Sequence, residues 1–299
     1  MAEDTTVYDL TGFPRPEAIQ EISAEAIVSE MSTDLVARFP AMNGVVGLES
    51  EPSTKNIEVN AFRETLVRAR INDAVRANLL AYATGADLDH LAVFYDVIRM
   101  TGEADDRLRL RTILAIQGRS PGGTEPRYRK IALDSSLRVA DAKVYTVGTS
   151  PIVRFAIFAA DNNGVADAPL LEIVRAAVNA PDKRMVSDTL LVQAAVFATV
   201  NIVADIWLLP ETPDTLITPV TPTVANPFGD SPLASSLRLS WQTEGGLGFD
   251  LNREWITARL MVPGIQRAVP TSPAVNQIAD PQNAIAIGTI TLVNRGRAF

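Results

Sequence analysis

LLVQAAVFATVNIVADIWLLP, residues 190–210, is the most apolar stretch of the chain, and its reading decides the fold. Its 21 residues are long enough to span a bilayer. Gln193, Asn201 and Asp205 interrupt it, however, and an aspartate at mid-membrane costs about 2.5–3.5 kcal/mol. The period argues the same way. Every even position from Leu190 to Leu208 is apolar, while the odd positions admit Gln193, Thr199, Asn201 and Asp205. That alternation belongs to a strand with one buried face. Since strands commonly run to about 5–6 residues, the stretch predicts two strands or one long bent ribbon, and no membrane span.

Upstream of this ribbon the pattern is helical. Glu17 to Phe39 follows Pro16, with Ile19, Ile22, Ala26, Met31 and Leu35 at helical spacing and acids in the first turns. Asn56 to Ala83 contains neither Gly nor Pro and predicts a longer helix, closed by Gly85. Asp87 reads as the cap of a short helix through Tyr95, and Asp105 as the cap of the next. In that helix Leu108, Thr112, Ala115 and Ile116 share a face, which puts Arg107, Arg109 and Arg111 largely outward. After SPGGT (residues 120–124), the stretch Glu125 to Ser135 is again helical, with Tyr128, Ile131, Ala132 and Ser135 on one stripe.

From Val139 the texture changes. VADAKVYTVG and PIVRFAIFAA read as strands and Asp167 to Ala180 as a helix, which with the ribbon makes a β-β-α-β-β order. Six prolines between Pro210 and Pro232 exclude a regular element there. A helix near Leu233 to Gln242, a second one capped by Asn252, and strands near Ile265–Val269 and Ile285–Val293 close the chain. The fold class is therefore α+β, with an N-terminal helical region, a central β-β-α-β-β unit and a smaller C-terminal α+β unit. The expected segments are an acidic arm with one helix (1–55), a helical region (56–136), a central α/β domain (137–209), a Pro-rich linker (210–232) and a C-terminal α+β domain (233–299).

Composition narrows the chemistry. The chain has 299 residues, a formal charge of −8, no cysteine and one histidine, His90. The charge is local: residues 1–60 hold eleven acidic and three basic side chains, residues 61–130 nine and twelve. No basic groove for nucleic acid is expected, and the acidic start reads as an arm for a basic neighbour. MAEDTTVYDL has no basic start or apolar run, so no secretory signal is expected, and the lack of cysteine suits assembly in a reducing cytoplasm. A single imidazole makes a His-rich metal site impossible and a Ser/His/Asp triad improbable.

Few motifs suggest chemistry. GGLGFD (245–250) matches the start of a calcium-binding nonapeptide repeat but occurs once, so a turn is the better reading. The glycines lack the Lys-Ser/Thr of a phosphate loop. No metal and no cofactor is expected. Asp87, Asp89 and His90 are the nearest approach to a catalytic cluster and define the alternative, a hydrolase-type enzyme. A carbohydrate- or receptor-binding module would need clustered aromatics, and Trp207, Trp241 and Trp255 are spread along the chain. Arg68, Arg70, Arg76, Arg107, Arg109 and Arg111 are the candidates for contact with a protein partner.

Residues 60–115 carry a further signal. NAFRETLVRARINDAVRANLLAYATGADLDHLAVFYDVIRM, followed by DDRLRLRTILA, closely resembles the baseplate J-like family, wedge proteins of contractile-tailed phages and related injection machines. The matching features are the Phe62–Glu64 helix, the Leu79–Asp89 junction and the Leu108–Ile113 helix. SPGGTEPRYRKIAL, VADAKV and LMVPGIQRAV (260–269) extend the likeness more loosely. The resemblance implies a non-enzymatic wedge subunit of a virion tail baseplate, assembled in the host cytoplasm. Implied partners are further copies of itself, a tail-protein-I-type wedge protein, a lysozyme-like small wedge protein, the hub or spike, and the sheath. It also implies that triggering acts by rearranging interfaces. Long helices such as Asn56–Ala83, more apolar than one neighbour can cover, suit such a role.

Overall fold

A computed structural model of the chain describes residues 14, 16–120, 122–224 and 226–297. The first 13 residues of the predicted acidic arm, with Glu3, Asp4 and Asp9, lie outside the described residues. The described residues form two compact units divided between Thr112 and Ile113. Among them are eight α-helices and two three-stranded mixed sheets, an α+β fold.

The unit up to Thr112 is helical. α1 spans Ala24–Arg38, starting later than the Pro16 signal predicts. Ser23 is the reason: its hydroxyl accepts the Ala26 N–H, which satisfies an otherwise orphaned donor at the helix start. Glu17 and Glu21 therefore precede the helix rather than fill its first turn. α2 spans Pro52–Ala77, with Pro52 in the first turn and the Glu51 side chain accepting from the Ser53 N–H. It ends at Asn78, seven residues before Gly85, because residues 79–83 leave the helix in a turn. Ile27 of α1 is buried, as are Ile57 and Ala61 of α2, and the two helices pack together. Asn72, itself buried, takes the Gln20 N–H on its Oδ1 and donates its Nδ2 to the Gln20 carbonyl, tying the segment before α1 to α2. α3 (Gly85–Val93) and the start of α4 (Asp105–Gln117) complete the unit.

In the second unit, α5 (Glu125–Ser135) buries Tyr128, Ile131 and Ala132, the stripe that its spacing predicts. β1 (Val139–Tyr145) and β2 (Ile152–Ala159) pair antiparallel. α6 (Ala168–Val178), capped by Asp167 accepting from the Leu170 N–H, returns the chain to β3 (Thr189–Ala194), parallel to β2. α5 packs on β1 and α6 packs on β3, and the rings of Tyr128 and Phe155 meet edge to face at 5.6 Å.

The ribbon of residues 190–210 is two strands, β3 and the 13-residue β4 (Val196–Leu208), which separate at Ala195. The chain thus follows the β-β-α-β-β order, but β3 and β4 join different sheets. β4 lies at the centre of the second sheet, antiparallel to β5 (Ile265–Ser272) and parallel to β6 (Asn283–Arg297). In its second half the even residues Ile202, Ala204, Ile206 and Leu208 are all at 0% exposure, as the alternation requires, whereas Val196 and Ala198 near its start are exposed. They meet Leu233, Leu237 and Trp241 of α7 (Pro232–Glu244) and Ile256 and Leu260 of α8 (Arg253–Leu260) in one core. On the other face Asp205 pairs with Arg295 at 3.0 Å. Shortening one member of this core, Ile206→Val, is expected to cost about 0.5–1.5 kcal/mol, measured as a lowered urea midpoint with unchanged slope.

The two ends of the Pro-rich stretch are packed, while residues 219–224 are exposed. Arg297 donates to the carbonyls of Leu209, Pro210 and Thr212 and pairs with Asp214, while Ile217 and Asp230 are buried.

Candidate functional site

The polar side chains of the first unit converge where α3 and α4 begin. Gly85 opens α3 with φ of +53°, a conformation that glycine adopts without the Cβ penalty. Its N–H is taken by Asp105 Oδ2 at 3.0 Å, so the α4 aspartate expected to cap its own helix reaches across to the other one. Thr84, not Asp87, is the residue before α3, and Asp87 sits in its first turn. Arg99 ties the two helix starts together: Nε donates to Asp89 at 2.6 Å and Nη2 pairs with Asp105 at 2.7 Å. Its Nη1 also donates to the Glu103 carbonyl. Asp89, then Asp105, hold the guanidinium more firmly protonated than usual, and the Gly85 N–H, then Arg99, lower Asp105.

Glu103 is the buried centre of the cluster, its side chain fully excluded from solvent. One carboxylate oxygen accepts from Arg107 at 2.8 Å; the other accepts from Arg111 at 2.6 Å and from the Met100 N–H at 3.0 Å. Burial pushes its pKa up, but the Met100 N–H and the two guanidinium groups outweigh that, and the carboxylate stays below the ordinary range. Arg109 donates to the carbonyls of Leu80 and Ala83 at 2.8 Å each, closing the turn after α2. Arg107, Arg109 and Arg111, expected outward, therefore point inward. The reason is local: buried acceptors under α4, Glu103 and the chain of residues 80–83, bind the guanidinium groups more strongly than water does.

The other candidates divide differently. Arg68 binds Glu64 within α2, and Arg76 binds Asp73 at 3.2 Å. Arg70 is exposed, and no ion pair holds it among the described residues. Around it, Val59, Phe62, Leu66, Val67 and Ile71 are each more than half exposed. Spacings of three, four and seven residues put them on one face of α2, opposite buried Ile57 and Ala61. The excess apolarity of this helix was legible in its sequence; the Arg99–Glu103–Asp105 cluster was not, because it depends on two helix starts meeting.

Asp87, Asp89 and His90 share a turn of α3, but the structure does not make a catalytic group of them. Asp89 is taken by Arg99, while Asp87 and His90 are exposed and no hydrogen bond joins His90 to either aspartate. No cluster of metal-ligating side chains occurs among the described residues. In GGLGFD, Asp250 accepts the Ala279 N–H and the Gly248 N–H donates to the Asn283 carbonyl, so this segment is tied to the chain just before and at the start of β6. Trp241 and Trp255 meet edge to face at 5.1 Å within the second unit, and Trp207 lies under Arg267, so the tryptophans do not form a ligand platform. A cavity of that unit, about 580 Å³, has Phe158, Phe197, Phe228 and Trp241 among its lining. The charged groups at its edge are paired, Asp161 with Arg138 and Arg238 with Asp230. No described helix is long and apolar enough to cross a membrane.

Two comparisons with known proteins fit this arrangement. The family described as Baseplate J-like N-terminal domain matches residues 49–106, which takes in α2, α3 and, of the charged cluster, Asp89, Arg99, Glu103 and Asp105. The chain is also 30% identical over 298 residues to Baseplate protein J of Escherichia phage P2, an alignment covering 93% of this chain and 94% of that protein.

Proposed function

The chain belongs to the baseplate J family, and on that premise we propose that it is a wedge subunit of a contractile tail baseplate. It works by ordered contact and carries out no chemistry. The observation that carries this reading lies in the helical unit, where the buried and half-buried charges around Arg99, Glu103 and Asp105 brace the unit internally while an apolar face of α2 is left bare. Such a unit suits a rigid part that presents a helix to a neighbour. The partners in this reading are further copies of itself, a tail-protein-I-type wedge protein, a lysozyme-like small wedge protein, hub or spike, and sheath. It is assembled in the host cytoplasm and resides in the virion tail baseplate. Triggering passes through it as a rigid-body rearrangement of interfaces.

Complementation tests the absence of chemistry. Tails made without this chain are expected to lack a baseplate, and His90→Ala and Asp87→Asn are expected to restore it as well as wild type does. Both side chains are exposed, so each variant's unfolding free energy should stay within about 0.5 kcal/mol of wild type. Intact particles that lose a chemical activity with His90→Ala would overturn the reading in favour of the hydrolase.

A further inference from the structure

We infer that the bare face of α2 is a docking site for an amphipathic helix of a partner protein that carries carboxylates one heptad apart along its apolar stripe. The inference rests on the assembly reading above and names the chemistry of the partner. Its first support is the geometry of the face. Val59, Phe62, Leu66, Val67 and Ile71 stand exposed on the side of α2 opposite the residues that pack inward. Arg63 and Arg70 lie on the same face, one heptad apart, or about 10.5 Å along the axis.

The second support is charge. Every other arginine described in this unit is held by an acceptor of the same unit. Arg38 binds Asp34, Arg68 binds Glu64, Arg76 binds Asp73 and Arg99 binds Asp89; Arg107 and Arg111 bind Glu103, and Arg109 binds backbone carbonyls. Arg63 and Arg70 are exposed and have no such acceptor among the described residues. Covering this face with a purely apolar surface would strip water from two guanidinium groups and return nothing. A carboxylate opposite each one restores the lost hydration with charge-assisted hydrogen bonds and fixes the register of the incoming helix.

The same features disfavour other occupants. A nucleic-acid backbone would satisfy the arginines but leave five apolar side chains wet. A second copy packing its own α2 about a two-fold axis would set Arg63 against Arg70 of its partner, like charges in a closing interface.

The test uses the full-length chain and two labelled synthetic helices with the same leucine stripe. One carries Glu and the other Lys at the two heptad-spaced positions. Fluorescence anisotropy is expected to show the wild-type chain binding the Glu helix at least tenfold more tightly than the Lys helix, with the difference shrinking at high salt. Arg63→Glu/Arg70→Glu is expected to reverse the preference and Arg63→Lys/Arg70→Lys to keep it. Circular dichroism will confirm that both variants are folded, as substitutions at exposed positions should be. Equal binding of the two helices by wild type, or binding of neither, would overturn the proposal. So would a wild-type dimer in sedimentation that the Glu variant abolishes, because the occupant would then be a second copy. Entry of the chain into tails is measured separately, so loss of the peptide preference in a chain that still builds baseplates refutes only this docking proposal.

Discussion

Glu103→Leu is expected to destabilise the unit up to Thr112 by about 3–5 kcal/mol, a large part of the 5–15 kcal/mol that holds an ordinary domain together. The loss comes less from the missing carboxylate than from what remains. Arg107 and Arg111, with side chains 15% and 5% exposed, would stay in place without their shared counter-ion. Urea unfolding monitored by circular dichroism measures it. A compensating Arg111→Met in the same chain should recover part of the loss, because it removes one of the stranded charges. The same carboxylate sets a pH dependence. Its pKa is lowered in the folded state, so its contribution is fully present above the ordinary carboxylate range and is lost as pH falls through the folded value. Wild type should therefore lose stability on acidification more steeply than Glu103→Gln.

Arg238→Met is expected to cost a similar amount, about 3–5 kcal/mol, in the second unit. Arg238 Nε donates to Asp230 at 2.6 Å, and the Asp230 side chain is only 4% exposed. The same guanidinium donates to the carbonyls of Ile287 and Gly288 on β6 at 2.6 and 2.7 Å, next to Trp241 Nε1 on Ile285. Removing it strands a buried carboxylate and bares a sheet edge that α7 otherwise caps. Thermal unfolding should fall by several degrees, and Arg238→Lys should recover only part of it, since an ammonium cannot serve the carboxylate and both carbonyls in the planar fork.

How far these features were legible in the sequence depends on how local their causes are. The alternation in residues 190–210 predicted strands and the buried even positions from Ile202 to Leu208, though not Val196 and Ala198, which are exposed, and Asp167 marked the start of α6 correctly. Both signals are complete within a few residues. Pro16 signalled an earlier start for α1 than the structure shows, because the hydrogen bond from the Ala26 N–H to Ser23 sets the start and is not visible in the spacing. The partners of β4 lie more than 50 residues away in β5 and β6, beyond the proline-rich stretch, and no period in β4 names them. The arginines of α4 show the same limit. Positions 107, 109 and 111 step around the helix by 200° each, so spacing cannot say which of them finds an acceptor; all three do. At the candidate docking face, the excess apolar residues and Arg70 were visible as sequence, whereas Arg63 stands out only once its neighbours are seen to be paired.

The central claim, that this chain is a structural part of a tail baseplate, is tested most directly by locating it in purified tails. Cryo-electron microscopy of particles carrying a tagged, full-length chain should place a fixed whole number of copies at the distal end of the tail. Quantitative mass spectrometry should give the same number in every preparation. Intact, baseplated tails that contain none of it would contradict the account.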